Sequence, residues 1–217
     1  MKLRITILMV GAVAASISLA SCKNNNSGGT VNEGNENKEK QVSTSNDNAE
    51  TKSIENINVV HLANLYCKVT DMDKCRLFLG KETNPLFTIQ KDVENNYASV
   101  YARTQYQNSL EFYMWTDKDG TKILGVNLTE LGERGHNKKS FQFFTYDSKL
   151  DMVVPSKRLN EIITNKMLSL RHSISSFIIR IPTSPQDEDI TVGYWEKKDK
   201  EKYHELIFKW DGHTFNI

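Results

Sequence analysis

All three tryptophans, eight tyrosines and nine phenylalanines lie beyond residue 54, whereas Lys23–Ser53 offers only Val31, Val42 and Ala49 as apolar side chains. This split fixes where a core can form. A stretch built from Asn24-Asn25-Asn26, Ser27-Gly28-Gly29 and Ser43-Thr44-Ser45-Asn46 cannot bury enough surface to offset its ordering entropy, so residues 22–53 are expected to be a disordered tether. As a flexible coil of about 30 residues it reaches roughly 30 Å. Residues 54–217 are long enough for one globular domain, and they contain no linker or clear repeat that would divide it.

Within that domain the dominant pattern is strand, turn, strand. Leu110–Thr116 alternates, Asp117-Lys118-Asp119-Gly120 turns the chain, and Ile123–Leu128 returns. Asp-Gly chemistry between β-branched and aromatic runs is a hairpin signal. The same arrangement recurs in Ser140–Tyr146 with Leu150–Val154, in Ile174–Ile181 with Ile190–Trp195, and in Tyr203–Trp210 with Thr214–Ile217. Asn96–Arg103 adds a partner for the Leu110 strand. Leu159, Ile162, Ile163, Lys166, Met167 and Leu170 instead follow a 3.6-residue period, and Ile57–Tyr66 leans the same way. The expected class is α+β, mainly β: an antiparallel meander of consecutive hairpins with one or two short helices.

The N-terminus reads as an address. Lys2 and Arg4 precede an apolar run over Ile5–Ala15, too short for a membrane-spanning helix of about 20 residues. Leu19-Ala20-Ser21-Cys22 follows and resembles the lipobox of bacterial lipoproteins. The resemblance implies that residues 1–21 are a signal peptide, that the Cys22 thiol is lipidated, and that the acyl chains hold the protein on a membrane. Lys23 in place of Asp after that cysteine resembles lipoproteins forwarded to the outer membrane of Gram-negative cells. The ending Trp210-Asp211-Gly212 also resembles small envelope lipoproteins of no known activity.

Removing Lys2 and Arg4 from 28 basic residues leaves 26 against 27 acidic, a net charge of −1. No basic excess points to nucleic acid. With Cys22 lipidated, Cys67 and Cys75 remain as an even pair for an oxidising compartment, and a structural disulfide between them is expected. Two free thiols or a redox pair are the alternatives. A continuous helix would hold these alpha carbons about 12 Å apart, so a bond requires a turn at Asp71-Met72-Asp73.

Catalytic signatures are absent. No zinc grammar joins His61, His136, His172, His204 and His213, although His204 and His213 flank the last turn. Asp117 opens a sequence like a calcium loop, but its twelfth position is Leu128, which carries no carboxylate. There is no nucleophile elbow and no phosphate loop, and neither a cofactor nor a metal is expected. The aromatic residues supply the one binding idea. If one sheet face is core, the other presents Tyr113, Trp115 and Trp195 as a candidate binding face for a protein or glycan ligand; the simpler alternative is that a second layer covers it. The expectation is a lipid-anchored envelope module that binds or inhibits rather than catalyses. Its rival is a small envelope hydrolase using His136, His172 or His204 with a carboxylate.

Overall fold

A computed structural model of the chain describes residues 57–103, 105–130 and 138–217, with backbone alone for 105–107. The signal sequence, Cys22, the tether and His136 lie outside the described residues. The architecture is mainly β. A six-stranded antiparallel sheet runs in chain order through β1 (Phe87–Asp92), β2 (Tyr97–Ala102), β3 (Gln105–Thr116), β4 (Lys122–Glu130), β5 (Lys138–Asp147) and β6 (Met152–Pro155). A four-stranded antiparallel sheet is built from β7 (Ile174–Arg180), β8 (Ile190–Glu196), β9 (Tyr203–Trp210) and β10 (Phe215–Asn216). The helices are α1 (Val59–Val69) and α2 (Asp73–Phe78) before the first sheet, and α3 (Lys157–Leu170) between the two.

The expected run of hairpins is thus two meanders rather than one. The break falls at Pro155, which has no N–H to continue a ladder, and α3 starts two residues later. Asn160 on α3 then ties the helix back to β5. Its Nδ2 donates to the Phe143 carbonyl at 3.0 Å, and its Oδ1 accepts from the Phe143 N–H at 2.7 Å. Two elements escape the sequence pattern. β1 is a half-exposed edge strand, and α2 is a six-residue helix that follows directly on the turn expected at Asp71-Met72-Asp73.

Alternation along β3 explains the layering. Leu110, Phe112 and Met114 face α1 and α2, in a core shared with Leu62, Leu77, Phe78, Leu124 and Val126. Tyr113 and Trp115 face the other way, in a second core with Phe143, Leu159, Ile190, Val192, Phe208 and Phe215. The central sheet is therefore buried on both faces, between two helices and a second sheet. Strands covered on both sides read as near-continuous apolar runs, as Leu110 to Trp115 does.

Helix α1 starts where its chemistry says it should. The Asn58 side chain accepts from the His61 N–H at 3.0 Å, capping one of the open donors of the first turn. Val59, Leu62, Ala63 and Cys67 form its buried stripe. At the β3–β4 turn Gly120 has φ of +86°, a conformation that L side chains rarely adopt. Asp119 Oδ1 accepts from the Thr121 N–H at 2.8 Å there, so turn geometry accounts for Asp119 and Gly120.

Candidate functional site

Two of the three candidate binding aromatics are core. Tyr113 and Trp115 are both 0% exposed, which corrects their expected place on a ligand-facing surface. The second sheet and its loops cover that side. Tyr113 Oη donates to the Ser184 carbonyl at 3.2 Å and Trp115 Nε1 to the Glu188 carbonyl at 2.9 Å, so the β7–β8 loop folds across them. Only such partners make a buried hydroxyl or indole N–H tolerable.

Cys67 and Cys75 are free, buried thiols, which corrects the expected disulfide. The α1–α2 corner at residues 70–72 does bring them together. They meet as hydrogen-bonded neighbours inside the helix-facing core. That hydrogen bond and burial push the Cys67 thiol well above its ordinary range, which disfavours the thiolate that exchange requires. Both residues serve as small apolar fillers.

The histidines disperse. His204 Nε2 lies 2.7 Å from Glu196 Oε1 and stacks on Tyr194, while His213 Nδ1 lies 2.9 Å from Asp117 Oδ2. His61 Nε2 lies 3.1 Å from Asp151 Oδ1, which also accepts from Tyr146 Oη at 3.0 Å. His172 is exposed and accepts from Arg171 Nε at 3.1 Å. Each of the first three has its own carboxylate, and among the described residues none of the four is hydrogen-bonded to a serine, threonine or cysteine side chain. A cavity of about 410 Å³ opens beside α2 and is lined by Asp71, Asp73, Lys74, Glu82, Thr83 and Glu130, together with apolar and amide neighbours but no histidine, serine or cysteine. Lys74 is nearly buried there, with Glu130 Oε1 at 3.6 Å, and desolvation draws its ammonium below the ordinary lysine range. Among the described residues no group of three or more His, Cys, Asp and Glu side chains is placed to hold a metal ion.

Between the sheets, burial pushes the Glu111 carboxyl above its ordinary range, against the bonds it accepts from Asn127 Nδ2 at 2.7 Å and Tyr97 Oη at 3.2 Å. A folded pKa above the unfolded one means the unfolded chain ionises more readily, so this group opposes folding at neutral pH. The opposition fades as pH falls through the folded value. Glu111→Gln is therefore expected to raise stability at pH 7 by about 1 kcal/mol, with the gain shrinking toward acid. Urea midpoints across that pH range measure it, and a loss of stability at pH 7 would refute the assignment.

The outer face of the small sheet differs from all of these. Register places Trp195 opposite Tyr203, Gly193 opposite Glu205 and Thr191 opposite Ile207, with Ile178 and Arg180 of β7 beside Gly193 and Thr191. Paired residues in an antiparallel ladder share a face. The alternate set (Phe177, Val192, Phe208 and their neighbours) points into the core. Tyr203 and Ile207 are 37% and 43% exposed, so this face is open. The tyrosine ring leans across Gly193, where a Cβ would overlap its hydroxyl and stand 2.8 Å from its Cε2. Arg180 Nη2 donates to Tyr203 Oη at 2.7 Å, Tyr203 Oη donates to Glu205 Oε1 at 2.7 Å, and Arg180 Nη1 donates to that same oxygen at 2.9 Å. Trp195 packs against the ring at 4.9 Å between centroids. Of these residues only Trp195 was among the candidates from sequence. Gly193 inside a strand is the signal that flags the rest, since a strand glycine marks close approach of another group.

No known protein family matches the chain, and no curated protein is significantly similar to it. Among solved structures the chain is distantly similar to a domain of an uncharacterized protein from Porphyromonas gingivalis W83, at 9% identity over 74% of this chain and 98% of that one, with a TM-score of 0.42. No described helix is long and apolar enough to cross a membrane.

Proposed function

We propose that the chain is a lipid-anchored cell-envelope protein, held by acyl chains on Cys22, whose domain is a non-catalytic binding module. The anchor reading rests on Leu19-Ala20-Ser21-Cys22, and the polar stretch to Ser53 supplies the spacer. The observation that carries the binding reading is the open face around Trp195 and Tyr203, aromatic rings held in place by Arg180 and Glu205 while Tyr203 stays more than a third exposed. The cavity beside α2 holds no histidine to act as the base of a Ser-His or Cys-His pair. In a Gram-negative cell the expected location is the outer membrane.

Two measurements test this. Wild-type protein should take palmitate label and sediment with membranes after carbonate washing, whereas Cys22→Ala should be unlabelled and soluble; an unlabelled wild type together with a membrane-bound variant would refute the anchor. Immobilised Cys22→Ala protein should then retain an envelope component. That retention should survive His61→Ala, His204→Ala and His213→Ala and be lost with Trp195→Ala or Tyr203→Ala. Turnover of an ester, peptide or glycoside that is lost with one of the histidines would overturn the binding reading in favour of a hydrolase.

A further inference from the structure

The open face of β7–β9 carries enough detail to name the class of its ligand, and this inference rests on the binding reading above. We infer that Tyr203, Trp195, Arg180 and Glu205 form a site for a neutral glycan, with a pyranose ring stacked on Tyr203. Size is the first argument. Strands about 4.8 Å apart and a rise of about 3.4 Å per residue bound a patch of roughly 10 by 14 Å between Thr191 and Trp195. A stable protein interface needs about 800 Å² from each partner, several times more than this patch offers. A ligand of one or two rings is commensurate with it.

Charge is the second argument. The patch holds one cation and one anion, Arg180 and Glu205, and they compensate each other at 2.9 Å. A ligand with net charge finds no uncompensated opposite charge in this patch, whereas an uncharged one finds donors and acceptors already ordered. Both bonds to Glu205 end on Oε1, leaving Oε2 to accept from a hydroxyl. The Arg180 guanidinium retains N–H groups beyond those given to Tyr203 and Glu205. A free acceptor beside a free donor suits a pair of neighbouring sugar hydroxyls.

Preorganisation is the third argument. Tyr203 would ordinarily lose rotamer freedom when a ligand orders it, a cost that weakens binding. Here Gly193 lets the ring lie across the strand, and Arg180, Glu205 and Trp195 hold it in place before any ligand arrives. One ring face rests on the sheet and the other meets solvent. The C–H groups of a pyranose pack on such a face, while its hydroxyls reach the flanking charges.

The test uses full-length Cys22→Ala protein titrated with neutral hexaoses of the β-glucan, α-mannan and β-linked N-acetylglucosamine series, and with an anionic uronate oligomer as counter-probe. Binding is read calorimetrically and by tryptophan fluorescence at low and high salt. At least one neutral hexaose should bind with an affinity insensitive to salt. Tyr203→Ala should weaken it about tenfold or more, Tyr203→Phe by less, and Lys157→Ala on exposed α3 not at all. Thermal melts confirm that the half-exposed Tyr203 variants remain folded. No binding by any neutral hexaose, binding only of the uronate with loss at high salt, or binding unchanged in both Tyr203→Ala and Trp195→Ala would each overturn the glycan assignment. If the envelope component above is retained through Tyr203 yet proves to be a protein, the glycan assignment falls and the binding reading stands. If nothing is retained and no hexaose binds, both fall.

Discussion

Trp115→Ala is expected to cost about 3–5 kcal/mol, the range for removing a large aromatic from a packed core. The indole is 0% exposed and sits where the sheets meet. Phe143 and Phe215 lie edge-on to it at 5.6 and 5.5 Å, Tyr113 at 4.6 Å, and Trp210 is tilted against it at 6.5 Å. Alanine would leave a cavity walled by both sheets, which neither can fill without moving, and it would strip the Glu188 carbonyl of its only described donor. Trp115→Phe should cost less, because much of the contact remains while the indole N–H is lost. Urea unfolding followed by Trp195 and Trp210 fluorescence gives both values. A loss below about 1 kcal/mol for alanine would mean that the two sheets are not joined through this residue.

Gly125→Ala should also be destabilising, by about 1–3 kcal/mol, though it adds only a methyl group. Gly125 lies on β4 directly across from Tyr113 and two residues from Ile123, the partner of Trp115. A Cβ there would stand 2.5 Å from Trp115 Cζ3 and 3.0 Å from Cη2. The indole cannot swing aside, since Phe143 and Phe215 confine it. The two substitutions should couple: in a Trp115→Phe background the added methyl finds more room, and its cost should shrink. A double-mutant cycle measures this, and strictly additive losses would show that the methyl is accommodated elsewhere.

Much of the framework was legible in the residues. The paired strands announced themselves by Asp-Gly turns and by alternation, and the run Phe112-Tyr113-Met114-Trp115 is apolar on both faces, which left open whether its second face binds a ligand or lies under another layer. What the pattern did not convey was which of these holds. Whether Tyr113 and Trp115 meet water or a second sheet depends on where β7–β10 fold back, a contact between residues some 70 positions apart. β1 escaped because Gln90, Lys91 and Asp92 at an edge carry no core alternation, and α2 because six residues hold less than two turns of periodicity. The cysteine turn was readable, but not the state of the two sulfurs, since spacing fixes proximity and not bonding. On the outer face Trp195 was visible alone. Its companions Tyr203, Glu205 and Arg180 are assembled by register, which the loop at residues 181–189 and the turn at 197–202 set and no single strand encodes.

Both sheets pair each strand only with its neighbours in the chain, and this bears on how the protein reaches its native state. Each ladder can zip from an adjacent turn, so the loops that must close are short and their entropic cost is small. β-rich domains are usually slow to fold because their strands come from distant parts of the chain. Here the long-range step is confined to bringing two preformed meanders together, with Asn160 clasping α3 to β5 along the way. The rate-limiting event should therefore be the docking of two halves. Weakening the junction at Trp115 should slow that event, whereas trimming the outer face at Tyr203 should leave the folding rate where it was.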